Sequence, residues 1–550
     1  MIDNGMVYFA KKGEENNPAE KICLRPEMAN KHGFICGATG TGKSVTLKVL
    51  AEGFSQLGVP VFMSDVKGDM AGIAAAGEDN EGMQKRLDRF DIRDTFKYEG
   101  FPVSIFDIYA QNGVPLRTTV TEMGPQLMAQ VLDLNDTQTE LMAVVYKIAD
   151  DNGLILTDTK DLKSMLQYSA DHADEYKNDY GNISQQSIST IIRSIVALEA
   201  EGADKFFGEP AIDIKDFFTV ASDGRGIINI LEASTLVSQP RLYSAFMLYL
   251  LSELFEVLPE VGDPEKPKIV FFFDEAHLLF KNASKTLLAK IEQVVKLIRS
   301  KGVSVFFVTQ SPGDIPGAVM SQLGNKIEHA LHAYTPAEQK VLKAAADAFR
   351  ENPDFNTEEA LQNLGTGEAI VSVLDEKGAP TVAEIAYILP PESRMGVLTS
   401  EERASIIGTS PFNAKYGVAV DNISAYEVIN RVAPVGAQAT AVADDGTPHI
   451  DFGAPESQDG GVTIDCEIGS SPLETATEII KEKTEKIGDV AEELLGKTEM
   501  KRVARTTGGS VGREIGKALG EAVLGKKGRT IGGNIGAQLG RSIMGTLMKK

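Results

Sequence analysis

An α/β fold with a mainly parallel sheet is predicted by three observations. Short apolar runs bounded by turn residues recur along the chain, helical patterning fills the stretches between them, and a glycine-rich turn joins one such run to a helix. That turn is Gly37-Ala38-Thr39-Gly40-Thr41-Gly42-Lys43-Ser44, which reads GxxxxGK(S/T) in full. His32-Gly33-Phe34-Ile35-Cys36 before it reads as a buried strand, and Val45 to Phe54 after it as a helix. In this setting the glycines let successive backbone N–H groups turn inward around phosphate oxygens, and the helix N-terminus adds partial positive charge at the same spot. Lys43 is expected to reach the β- and γ-phosphates of ATP, and Ser44 to ligate Mg²⁺.

With 550 residues, 43% of them hydrophobic, the chain has material for two to four domains and a sizeable core. The N-terminus is polar and no run of about 18 uncharged apolar residues occurs, so a soluble, cytoplasmic location without a transmembrane span is expected. Cys23, Cys36 and Cys466 are far apart and odd in number, which predicts reduced thiols and no zinc. Charge is unevenly spread. Residues 497–550 carry twelve Lys/Arg against three Glu, a tail of +9 on a chain of −23, so residues 1–496 hold −32. An acidic body argues against a surface that coats nucleic acid, while a basic pore or tail can still bind phosphates locally.

In chain order, residues 6–12 and 21–24 read as two short strands leading into the P-loop strand. Val59 to Ser64 is a buried strand ending in Asp65-Val66-Lys67-Gly68-Asp69, where Asp65 or Asp69 either assists a metal or caps the turn. Phe101 to Phe106 is a further strand. Residues 1–110 thus form the N-terminal strands and the first part of an ATPase core. Helical spacing then dominates 111–221, read as an inserted helical subdomain with helices at 124–134, 137–150, 159–171 and 184–200. The second part of the core, 222–391, opens with a strand at 226–231 and a helix from Pro240 to Leu258.

Lys268 to Phe273 is a continuous β-prone run ending in Asp274-Glu275, the pattern of a Walker B strand. Asp274 would bind Mg²⁺ through water, and Glu275 would orient and deprotonate the water attacking the γ-phosphate. His277 is read as a local hydrogen-bonding residue. A helix from Ala283 to Arg299 precedes the strand Val303 to Gln310, and Gln310 at its end is a sensor candidate for the γ-phosphate. A helix at 336–349 and strands at 368–374 and 381–389 close the core. One core that uses an arginine on the transition state takes it from a neighbouring subunit, so a homo-oligomeric ring is expected, with Arg299 the leading finger candidate. Residues 392–473 read as an irregular region, with short helical pieces among turns at 392–432 and a linker from Pro434 to Pro472. Residues 474–550 read as an amphipathic helix and a basic tail with glycine every fourth residue, for self-association, a membrane-surface contact or a flexible end.

Four tracts together resemble one family: residues 37–44, Phe272-Phe273-Asp274-Glu275-Ala276-His277, Arg299-Ser300-Lys301-Gly302-Val303 and Val308-Thr309-Gln310-Ser311-Pro312. They resemble the HerA-like branch of the FtsK/HerA P-loop motors, over roughly residues 5–391. The resemblance implies a RecA-like core, a hexameric ring driven by ATP along double-stranded DNA, and in HerA proper a partner nuclease. It adds weight to Lys43, Ser44, Asp274, Glu275, Gln310 and Arg299 in the roles given. Two departures are visible. HerA proper has a small β-barrel before the P-loop where this chain has 36 residues, and in the arginine-bearing stretch of relatives this chain offers Lys326 and His332. Two other functions are compatible with these residues: remodelling or exporting protein at a membrane, and a nucleotide-switched scaffold, the latter disfavoured by the presence of both Asp274 and Glu275.

Overall fold

The computed structural model describes residues 1–12, 20–280 and 285–430. Among them thirteen strands make one sheet. They are β1 (Ile2–Asp3), β2 (Met6–Lys12), β3 (Glu20–Leu24), β4 (Gly33–Cys36), β5 (Val61–Asp65), β6 (Val103–Asp107), β7 (Val114–Pro115), β8 (Ile228–Glu232), β9 (Ile269–Phe273), β10 (Val303–Thr309), β11 (Asn325–Glu328), β12 (Glu368–Ser372) and β13 (Glu384–Ile388). The order across the sheet is β1-β2-β13-β12-β11-β4-β10-β9-β5-β8-β6-β7, with β3 paired to β2. From β11 to β7 every neighbouring pair is parallel. The remaining strands extend the sheet antiparallel. The fold is α/β, with a mostly parallel sheet whose P-loop strand β4 is separated from the Walker B strand β9 by β10.

The central strands are apolar without alternation because helices cover both faces. Ile35, Met63, Phe272 and Phe306 point to one face, where the P-loop helix Lys43–Gln56 buries Leu47, Leu50 and Phe54. Phe34, Phe62, Phe271, Phe273 and Phe307 point to the other face, and their cluster runs without a break into the helices between Val120 and Phe206 and into Pro240–Val257. The helices of the inserted stretch therefore share a core with the sheet. They span Val120–Val131, Asp136–Asp151, Thr159–Asp171, Ala173–Tyr180, Gln185–Glu199 and Ala203–Phe206. The first starts earlier than its periodicity suggested, because Thr119 caps it by accepting from Glu122 N–H, and the chain kinks at Gly124 (φ 71°) before Pro125. No helix among the described residues is long and apolar enough to cross a membrane.

Three findings go beyond the periodicity. β11 occupies the place beside the P-loop strand although Asn325-Lys326-Ile327-Glu328 has a single apolar residue. A helix at Glu81–Phe90, capped by Asn80, lies in a stretch without an assigned element. Residues 400–430, expected to be irregular with short helical pieces, form three helices at Ser400–Thr409, Pro411–Tyr416 and Ala425–Asn430, all held to the body. Asp161 accepts from Ser424 Oγ (2.6 Å) and Tyr426 N–H (2.7 Å), Arg117 donates to the Tyr416 carbonyl (3.0 Å), and Phe412 packs on Phe106. Each helix is too short to show periodicity, so contacts with distant elements decide its form. The expected linker, amphipathic helix and glycine-repeat tail lie outside the described residues, as does Cys466.

Just after β13 the chain crosses the back of the P-loop helix. Glu52, wholly buried in that helix, accepts hydrogen bonds from the N–H groups of Glu392 (2.9 Å) and Ser393 (3.2 Å) and from the Ser393 hydroxyl. Lys48 donates to the Arg394 carbonyl at 2.7 Å. Burial pushes the Glu52 carboxyl up to about 7.

His32, at the start of β4, is buried, with Nε2 2.9 Å from the Val295 carbonyl and Nδ1 accepting from Val305 N–H. Burial lowers its pKa to about 4. The unfolded chain, with an ordinary histidine, binds more protons between that value and about 6.5, so the contribution of neutral His32 is present above 6.5 and is lost as pH falls toward 4. The stability advantage of wild type over His32→Asn in urea unfolding is expected to shrink by about 2 kcal/mol between pH 7 and pH 5. A pH-independent difference would mean that His32 does not titrate abnormally.

Candidate active site

The P-loop takes its shape from three glycines with positive φ, Gly37 (150°), Gly40 (81°) and Gly42 (123°). At Gly37 a Cβ would come within 2.5 Å of His329 Cβ and 2.8 Å of Thr41 Oγ1, so only glycine fits. Thr41 closes the turn by donating to the Ala38 carbonyl at 2.8 Å. The helix then begins at Lys43, with Ser44 in its first turn. Lys43 Nζ donates to the carbonyls of Gly37 (2.5 Å) and Ala38 (2.9 Å). Burial, and then the neighbouring Lys67 ammonium, lower its pKa below that of an ordinary lysine.

His329, at the end of β11, buttresses this loop. Its backbone N–H donates to the Cys36 carbonyl (2.8 Å), and Nδ1 lies 2.8 Å from the Glu368 carbonyl. A carbonyl only accepts, so Nδ1 carries the proton and Nε2 is left to accept from Thr46 Oγ1 in the P-loop helix, at 2.8 Å. Burial holds this imidazole neutral, with a pKa near 4.

Across β10, β9 delivers Asp274 and Glu275 to the same end of the sheet, 4% and 5% exposed. Asp274 N–H donates to Ser64 Oγ (3.1 Å), which also accepts from Tyr243 Oη (3.2 Å). Asp274 Oδ1 accepts from Glu275 N–H at 2.9 Å, while Oδ2 is buried with no hydrogen-bond partner. Burial raises the Asp274 carboxyl to about 7. A buried, unpartnered carboxylate oxygen at the P-loop end of the sheet suits a hard divalent cation such as Mg²⁺, which would favour the ionised form.

Glu275 has φ 48°, an uncommon conformation for a residue with a side chain, and its carboxylate is fully engaged. Lys67 Nζ is 2.8 Å from Oε1, Gln310 Nε2 donates to Oε1 (3.1 Å) and Oε2 (3.3 Å), and His277 Nδ1 is 3.3 Å from Oε2. Burial alone would raise the Glu275 carboxyl, but the hydrogen bond and charge of Lys67, then Gln310 and His277, hold it below the usual range. Gln310 Oε1 in turn accepts from Thr39 Oγ1 of the P-loop at 3.2 Å. Gln310 thus bridges the phosphate-binding loop and the acid pair.

Gly37 to Ser44, Asp274, Glu275 and Gln310 all gather at this end of the sheet. Arg299 does not join them within one chain. It lies in a short turn ahead of β10, ion-paired to Asp263 at 3.3 Å. The seven residues of β10 put about 23 Å between that turn and the P-loop end. Lys326 donates to the Ala348 carbonyl, and His332 stacks near the exposed Tyr334. Asp65 acts as a cap, accepting from the N–H groups of Gly68, Met70 and Ala71. Sequence reading passed over Lys67, Ser64 and His329. Lys67 lies between two acids and matches no motif of its own, and Ser64 and His329 act through residues far away in the chain.

The family model described as helicase HerA-like C-terminal matches residues 10–529. Two proteins named DNA double-strand break repair helicase HerA are each 21% identical to this chain. The one from Sulfurisphaera tokodaii matches over 368 residues, 64% of this chain and 64% of its own length. The one from Sulfolobus acidocaldarius matches over 362 residues, 65% and 64%. The chain therefore spans somewhat less than two thirds of either relative. Among solved structures, the bacterial conjugative coupling protein TrwB lacking its first 70 residues is 15% identical, with a TM-score of 0.43, over 68% of this chain and 90% of its own. VirB4 of Thermoanaerobacter pseudethanolicus is 17% identical, with a TM-score of 0.44, over 70% and 97%. The family match covers nearly the whole chain, including every residue of the site, and the protein belongs to the HerA-like helicase C-terminal family.

Proposed function

We propose that the chain is an ATPase that forms a ring, a hexamer by family resemblance, and moves along or unwinds double-stranded DNA. The observation that carries the ATPase part is the convergence of Lys43, Asp274, Glu275 and Gln310 at one end of the sheet, with Glu275 linked through Gln310 to Thr39 of the P-loop. Lys43 and the P-loop N–H groups grip the phosphates, and Ser44 and Asp274 hold Mg²⁺. The cation offsets phosphate charge when bound. Glu275 orients a water and takes its proton as the water oxygen bonds to the γ-phosphorus and the bond from that phosphorus to the β–γ bridging oxygen breaks, giving ADP and phosphate, and Gln310 keeps that carboxylate aligned with the loop. Arg299, remote from its own site, is assigned to act on a neighbouring subunit. Family membership and the two relatives named as DNA repair helicases support DNA as the track, and the family resemblance supplies a nuclease as the partner protein.

The test is the steady-state ATPase rate with and without linear double-stranded DNA, with Lys43→Ala as the blank. At least fivefold stimulation that weakens as salt rises is expected, because phosphate contacts release counterions. A Lys43-dependent rate indifferent to DNA would favour a protein substrate, remodelled or exported at a membrane. Absence of any rate would leave a scaffold.

A further inference from the structure

Lys67 belongs to no motif that defines the site, yet it provides the short cationic contact to Glu275, at 2.8 Å. It stands in the loop after β5, and that loop is fixed by the three N–H groups that Asp65 accepts at 2.7, 3.0 and 3.2 Å. The base of the side chain is therefore held, whereas the side chain beyond it is 39% exposed on a flexible four-carbon stem that can reach more than one partner. Its ammonium is near enough to Lys43 to depress that lysine's pKa, so both cations face one region of space. Asp274, Glu275 and Asp69 supply the negative charge around it.

We propose that Lys67 is a second phosphate-directed cation: it positions Glu275 through the ion pair and passes to the terminal phosphate of a nucleoside triphosphate on the P-loop, so that arrival of the third phosphate frees the base. This rests on the P-loop being an ATP site. The reasoning is geometric and electrostatic. Oε1 of Glu275 is shared by Lys67 and Gln310, and Oε2 by Gln310 and His277, so a lone pair for a water proton requires that one donor leave. Lys67 is the mobile cation among them, and a terminal phosphate bears more charge than a carboxylate. A diphosphate ends short of that position. Lys67 therefore distinguishes ATP from ADP.

The experiment is fluorescence titration of the full chain with Mg²⁺ and either ADP or a non-hydrolysable ATP analogue. Lys67→Met is expected to weaken the analogue about tenfold with ADP unchanged, the size of one charge-assisted contact at a partly exposed site. Lys67→Arg should keep most of the discrimination. Glu275→Gln removes the competing carboxylate and should tighten the analogue several-fold, a gain that Lys67→Met abolishes in the double variant. Equal weakening of both nucleotides by Lys67→Met, or no change in either, overturns the proposal. If Lys67→Met does not fold, an unaltered ATP analogue affinity in Glu275→Gln overturns it by itself. Binding that Lys43→Ala abolishes but Lys67 substitutions leave alone refutes only this inference. Failure of wild type to bind either nucleotide refutes the ATP-site reading and the inference with it.

Discussion

Glu275→Gln is expected to lower ATP turnover about 10²- to 10⁴-fold while leaving ATP bound, because the amide keeps the shape of the carboxylate but cannot take a proton from water. Single-turnover hydrolysis alongside equilibrium binding of the same nucleotide separates the two effects. The amide can still hydrogen-bond Gln310 and His277, which lie at 3.1–3.3 Å from the carboxylate, so the local fold should survive. The charge lost is the one that Lys67 faces, and the variant should accumulate with uncleaved ATP. Turnover within about threefold of wild type would remove Glu275 from the role of base and leave it as a partner of Lys67.

Gly37→Ala should be the most damaging substitution of the loop. The new methyl would collide with His329 Cβ at 2.5 Å and Thr41 Oγ1 at 2.8 Å, and the backbone is at φ 150°. His329 cannot retreat, because both ring nitrogens and its N–H are engaged by Glu368, Thr46 and Cys36. The loop must move instead, and the Gly37 carbonyl that receives Lys43 moves with it. Loss of about 1–3 kcal/mol of stability and at least a hundredfold in nucleotide affinity is expected. Gly40→Ala is the control. It also sits at positive φ, 81°, but nothing lies within 4 Å of its added methyl. Its cost should be that of backbone strain, about 1 kcal/mol. Equal damage from the two would show that collision with His329 is not the cause.

What could be read from the sequence was whatever is local. The P-loop, the Walker B run and the strand ending at Gln310 are each local stretches, and their continuous apolar runs point to the parallel, doubly covered packing that the sheet shows. Long helices such as Thr159–Asp171 and Gln185–Glu199 announce themselves by caps and period. What escaped were elements whose burial is polar or whose partners are remote. β11 has an apolar pattern one residue long, and its place is set by Asn325 Nδ2 donating to the carbonyls of Met28 and His32 and by His329 reaching the P-loop helix. Lys67 and Glu275 are over two hundred positions apart, and no spacing rule joins them. Whether Arg299 acts across a subunit boundary depends on a neighbour that one chain's periodicity does not describe.

The strap behind the P-loop helix has a consequence for when the protein becomes active during its own synthesis. Glu52 is translated early, but the groups that satisfy its buried carboxylate belong to Glu392 and Ser393, about 340 residues later. His329 and Glu368, which steady the loop, also come late. A nascent chain that already displays the complete glycine loop therefore has no firm support behind it until most of the described chain has left the ribosome. Nucleotide capture should begin abruptly near that length, leaving little time in which a half-made chain could hold ATP on an unsupported loop.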